Sequence, residues 1–204
     1  GCYYPALTSV CALGERVLNH LILHLRDDYR STPEYKMVYR KDSFDDWDIA
    51  IDTLTSWGVL LPKATEAFRA LREYRNRALH FNPETDTNDR ALALEAILKF
   101  SEIVIEQFSA FGTQPWYIEG TLGAIFVKKS YEEVPFVKRI VIPNSHKVGY
   151  LHLLEIQHGH WVVRDNHPYE EKEVTDEEFK ELYNTRKLSG SSSVMQPGRE
   201  GAHD

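Results

Sequence analysis

Through the first 112 residues, apolar side chains recur every three or four positions, a period that commits this stretch to amphipathic helices rather than strands. Val10, Leu13, Val17, Leu21 and Leu25, with Leu18 and Ile22 beside them, predict a first helix that ends near Ser31-Thr32-Pro33. Arg16, Asn19, His20 and Arg26 fall on its other sides. A second helix is expected from a cap at Asp42-Ser43, burying Phe44, Trp47, Ile51, Leu54 and Trp57. Gly58 through Pro62 breaks it, and a third begins after Pro62 with Ala64, Ala67, Phe68, Leu71, Ala78 and Leu79 on its buried face. Asn82-Pro83 ends the third, because the residue before proline avoids α geometry. Thr87-Asn88-Asp89 predicts the cap of a fourth, with Leu94, Ile97, Leu98, Val104, Ile105 and Phe108 inward and Gly112 as its stop. Four such helices on short connections predict an antiparallel bundle.

The pattern changes at Gly112-Thr113-Gln114-Pro115, which we read as a domain boundary. Beyond it, Trp116–Lys128, Val134–Ile142, Gly149–Ile156 and Trp161–Arg164 are β-type runs, and Gln157-His158-Gly159-His160 separates the last two as a hairpin turn would. Thr175 with Glu178 three residues later is a capping-box pattern, which opens a short helix. The expected fold class is therefore α+β. A helical bundle over 1–112 precedes a small antiparallel sheet with one helix over 113–187, and the Ser/Gly-rich stretch 188–204 is expected to be a disordered tail.

One residue disturbs the third helix. Arg75 lies four after Leu71 and three before Ala78, in the middle of the apolar face. An unpaired guanidinium is costly to bury, so it needs a partner, a wet cleft or a ligand. Asn76 and His80 are four apart and stack one turn above the other on the adjoining face. A fixed cation, an amide and an imidazole that titrates near neutrality suit a phosphodiester. The bland alternative is an arginine bonded within its own protein, with His80 favouring the dipole at its helix end.

Tyr74-Arg75-Asn76-Arg77-Ala78-Leu79-His80-Phe81 resembles the signature of the HEPN superfamily, an arginine followed by a polar residue and, four to six positions on, a histidine. The resemblance covers roughly residues 6–112. It implies an all-α bundle that dimerises so that two motifs form one composite site. It also implies a metal-independent endoribonuclease, of the kind found in toxin–antitoxin and anti-phage defence systems. His80 would then move the 2′-hydroxyl or leaving-group proton, Arg75 would hold the scissile phosphate, and Asn76 would orient the phosphate or the imidazole. Arg72 and Arg77 would contact flanking phosphates. RNA, a second copy of the chain, and an antitoxin or regulatory protein are the implied partners. One branch of the family carries a tyrosine two residues after the histidine, where this chain has Asn82. The competing expectation is a non-catalytic HEPN-like module that binds a nucleotide or RNA, or that serves dimerisation.

Composition narrows the field. The 204 residues carry 24 basic and 31 acidic side chains, a net charge of −7, which disfavours wholesale coating of nucleic acid. Lys63, Arg69, Arg72, Arg75 and Arg77 nevertheless crowd one helix, and a local basic strip permits a narrow RNA site. No apolar run approaches the roughly eighteen residues a membrane span needs, and two cysteines fit a reducing cytoplasm. Cofactor motifs are missing: there is no Gly-rich phosphate loop and no CxxC pair. His152, His158, His160 and His167 could offer imidazoles to a metal, but no acid or cysteine accompanies them at ligand spacing, and His-Gly-His also serves as an exposed turn. Asp45, Asp46, Asp48 and Asp52 would suit Mg²⁺, although a solvated helix start that favours the dipole explains them better. Trp116, Tyr117, Tyr150 and Trp161 would stack bases or fill a sheet core.

Overall fold

The computed structural model describes residues 1–79, 90–109 and 113–187. The described residues form two compact units, one within 1–119 with 125–145 and one of 120–124 with 146–187. The expected stop at Asn82-Pro83, cap at Thr87-Asn88-Asp89, stop at Gly112 and tail 188–204 lie outside the described residues.

The first unit is helical. α1 (Tyr3–Leu25) buries Leu7, Val10, Cys11, Leu18, Leu21, Ile22 and Leu25. Leu13, expected inside, is exposed, because the buried stripe passes through Gly14 instead. A β-carbon on Gly14 would sit 2.8 Å from both Leu71 Cδ2 and Trp47 Cη2, so this glycine lets α1 close on its neighbours. A 3₁₀ turn (Arg26–Tyr29) and the short α2 (Tyr35–Val38) follow. α3 (Trp47–Ser56) starts later than expected: its cap is Asp46, not Asp42-Ser43. Asp46 Oδ1 accepts from the Asp48 and Ile49 amides at 3.0 and 3.2 Å, satisfying two donors that the helix itself cannot. Phe44, Trp47, Ile51, Leu54 and Trp57 are buried as the periodicity requires.

α4 (Pro62–Leu79) buries Ala64, Ala67, Phe68, Leu71 and Ala78, the face read from the sequence. α5 (Arg90–Phe108) reverses its expectation. Its buried residues are Leu92, Ala93, Ala96, Ile103 and Gln107, whereas Leu94, Ile97, Leu98, Val104, Ile105 and Phe108 are exposed. Small side chains let α5 approach α1 and α4, against which it packs. Gln107 anchors its end: Oε1 accepts from the Leu61 amide at 2.9 Å, and Nε2 donates to the Val59 carbonyl at 3.0 Å. With Lys63 meeting Glu106 at 3.4 Å, the start of α4 lies beside the end of α5, so the two helices run antiparallel.

Residues beyond 112 do not all leave this core. Trp116, Tyr117, Phe136 and Val137 join it, so the units do not part at the 112/113 boundary expected from composition. Trp116–Lys128 is not a strand. A single bridge between Tyr117 and Val127 marks a short extended pairing, closed by Gly120 and Gly123 at positive φ. Val134–Ile142 is not a strand either. Val137–Val141 forms a π-helical turn, and burial of Phe136 and Val137 overrides their local β preference.

The second unit holds the sheet. β1 (Leu153–Gln157) pairs antiparallel with β2 (His160–Arg164). His158 and Gly159 take φ values of 50° and 81° between the paired Gln157 and His160, the positive angles that a tight two-residue hairpin turn demands. α6 (Asp176–Thr185) opens with the full capping box: the Glu178 amide donates to Thr175 Oγ1 at 3.1 Å and the Thr175 amide to Glu178 Oε2 at 3.0 Å. Asn184 ties residues 120–124 to this helix through the Leu122 amide at 3.1 Å and the Gly120 carbonyl at 2.9 Å. The protein is thus α+β and dominated by helices. Among the described residues, no helix is long and apolar enough to cross a membrane.

Candidate functional site

Arg75 has the partner its position required. Its Nη2 lies 3.3 Å from Glu15 Oε2 on α1, and the arginine side chain retains 20% of its exposure. The guanidinium carbon stands 5.7 Å from the centre of the Trp47 ring on α3. Trp47 Nε1 donates to the same Glu15 oxygen at 3.1 Å. One carboxylate therefore gathers α1, α3 and α4 around a cation that the apolar face would otherwise reject. Glu15 is the only acidic residue in α1, and this could have nominated it from sequence.

The surroundings are graded. Cys11, one turn before Glu15, is fully buried, and burial pushes its thiol up to about 11 while the Arg75 charge pulls it back. One turn beyond Glu15, Asn19 fixes the approach to α3: its amide donates to the Phe44 carbonyl at 2.9 Å, and the Phe44 amide donates back at 2.7 Å. Outside these lies a groove of about 300 Å³ lined by Glu15, Arg16, Asn19, His20, Leu23 and Asp42. It shares Glu15 with the arginine, and His20 at its edge stacks on His24, centroids 5.9 Å apart. Glu15, Trp47, Asn19 and His20 were not among the residues read as functional.

The other sequence-derived residues divide. Asn76 is half-buried beside Arg75, Arg77 is exposed, and His80 lies outside the described residues. Arg72 pairs with Asp48 and, at 2.6 Å, with Glu73; Arg69 meets Asp52 at 2.7 Å. The acidic start of α3 thus neutralises much of the basic strip on α4, and Asp46 is occupied as a cap. In the second unit, His152 is buried, bonds Gly149 O through Nδ1 at 3.0 Å and stacks on Tyr183 at 5.7 Å. His158 belongs to the hairpin turn, and among the described residues no three acids, histidines or cysteines cluster as metal ligands. Trp116 and Tyr117 are core residues, Tyr150 packs edge-on against Tyr169, and Trp161 is exposed on the hairpin.

No protein-family model, no curated protein and no solved structure matches the chain.

Proposed function

We propose that the helical unit is a metal-independent endoribonuclease of HEPN type, working through Arg75, Asn76 and His80. The observation that carries this reading is the arginine itself. A guanidinium is kept on an apolar helix face, oriented by Glu15 and Trp47, with Asn76 beside it and His80 four residues further along the sequence. A cation held in advance of its ligand stabilises charge without reorganising. In the reaction the 2′-oxygen of the ribose attacks phosphorus as its proton passes to a base. The P–O5′ bond then breaks and the 5′-oxygen takes up a proton. Arg75 compensates the charge that grows on the phosphoryl oxygens, and His80 handles one of the two protons. A second His80 from another copy of the chain would handle the other. Arg72 and Arg77 contact neighbouring phosphates, Arg72 by exchanging Asp48 for the backbone.

The test is incubation of labelled RNAs with wild type and His80→Ala in excess EDTA. Wild type is expected to leave 2′,3′-cyclic phosphate and 5′-hydroxyl ends, and the variant to be slower by roughly 10²–10⁴-fold. A second reading has its own support, because Arg69, Arg72 and Arg75 each already face a carboxylate. In that reading the unit is a non-catalytic binding or dimerisation module. Wild type that binds RNA or a nucleotide but leaves every RNA intact would establish it.

A further inference from the structure

α5 turns its larger apolar side chains outward. Leu94, Ile97, Leu98, Val104, Ile105 and Phe108 are between 37% (Phe108) and 67% (Leu98) exposed. Together they present roughly 500 Å², near the upper end of the largest apolar patch on an ordinary monomer. Leu92, Ala93, Ala96, Ile103 and Gln107 occupy the opposite face, so α5 is apolar on both sides and satisfied on one.

The outward set is complementary to itself, which suits a second copy of the same helix. Leu98 and Val104 lie three residues either side of Ser101, Ile97 and Ile105 four, Leu94 and Phe108 seven. Ser101 is itself exposed, and offsets of three, four and seven share one helix face. Let two copies of α5 run antiparallel across a two-fold axis at Ser101. Leu98 then faces Val104, Ile97 faces Ile105, and Leu94 faces Phe108, so each apolar side chain meets an apolar one. A small residue at the crossing lets the backbones approach. An isologous contact needs a stripe that is complementary to itself, and this one is. Both copies together would bury roughly 1,000 Å², about the lower bound for a specific interface.

We propose that α5 is the self-association face of this protein, two copies packing antiparallel about Ser101. The inference rests on α5 alone and not on the nuclease reading. Because α4 runs antiparallel to α5, its motif end lies level with the start of α5, eleven residues before Ser101. A two-fold at Ser101 therefore sets the two motif ends roughly 30 Å apart along the paired helices. This contact is separate from one that would bring two His80 rings together.

The test uses the full chain. Sedimentation at micromolar concentration is expected to show wild type self-associating, as a dimer through α5 alone or as a larger assembly where the motif contact forms as well. The double variant Leu98→Glu/Ile105→Glu should self-associate roughly a hundredfold more weakly, with unchanged circular dichroism and melting. In a Cys2→Ser background, Ser101→Cys should form a disulfide-linked dimer on mild oxidation and Glu95→Cys should not, since only position 101 faces its own mate. A monomeric wild type, a dimer indifferent to the two glutamates, or equal cross-linking at both positions overturns the proposal. RNA cleavage is scored on the same samples, so a missing dimer and an inert nuclease are read apart.

Discussion

α4 and α5 are neighbouring helices of similar length, yet one announces its buried face and the other conceals it. α4 has few apolar residues, and Ala64, Ala67, Phe68, Leu71 and Ala78 leave room for only one stripe. α5 offers two stripes, one of large side chains and one built on Leu92, Ala93, Ala96, Ile103 and Gln107. The smaller, less hydrophobic stripe faces the core. Hydrophobicity alone ranks the faces the other way. Closeness of approach decides instead, because alanines bring the helix axes together and allow contacts that leucines would hold apart. The lesson is specific: where a helix offers two apolar sides, the side with the alanines and one anchored amide packs inward, and the other is free for something else.

The largest effects should separate the two stripes of α5. Ile103→Ala removes a fully buried side chain and should destabilise by about 2–5 kcal/mol, while Leu98→Ala should stay within about 0.5 kcal/mol in the dissociated protein. Urea unfolding at low protein concentration measures both, and comparable losses would mean that the faces are assigned the wrong way round. Gln107→Leu should follow closely at about 2–3 kcal/mol. It strips partners from the Leu61 amide and the Val59 carbonyl, and the apolar volume it adds cannot replace either bond.

The same contrast explains which parts of the fold were legible. α4, the buried face of α3, the capping box of α6 and the His158-Gly159 turn each rest on a short-range rule with one solution. Where two solutions compete locally, tertiary packing decides. Asp46 displaced Asp42-Ser43 as the cap because Trp47 must begin the helix to reach the Glu15 hub. Val134–Ile142 carries β-type residues, but Phe136 packs 5.1 Å from Trp116 against the helices and the backbone follows it. For the candidate site, the sequence demanded a partner for Arg75 without naming it. Glu15 is sixty residues away, and only the closure of α1 over Gly14 brings it within reach.

Among the arginines of α4, burial should again sort the outcomes. Arg75→Ala loses the Glu15 pair and the Trp47 face in a partly enclosed setting, and should cost about 1–2 kcal/mol. Arg69→Ala breaks a pair whose members are both more than half exposed, and should change stability by less than about 0.5 kcal/mol. Thermal melts of the two variants should therefore differ. Equal melting points would imply that the Glu15 hub contributes no more than a surface ion pair.

One effect is confined to high pH. Cys11 is neutral in the folded protein up to about pH 11, while the same thiol in the unfolded chain ionises near its ordinary 9.0. Below pH 9 the two states bind the same proton and stability is unaffected. As pH rises from 9 toward 11 the unfolded state loses its proton first, so the contribution from Cys11 falls, by roughly 1 kcal/mol at about pH 10. Subtracting the stability curve of Cys11→Ala from that of wild type isolates this slope from the lysines and tyrosines that titrate nearby. Arg75 is the charge that holds the folded thiol down, so adding Arg75→Ala should carry the decline to still higher pH. If the decline stayed where it was, the arginine would not be electrically close to Cys11, and the hub around Glu15 would lose its central cation.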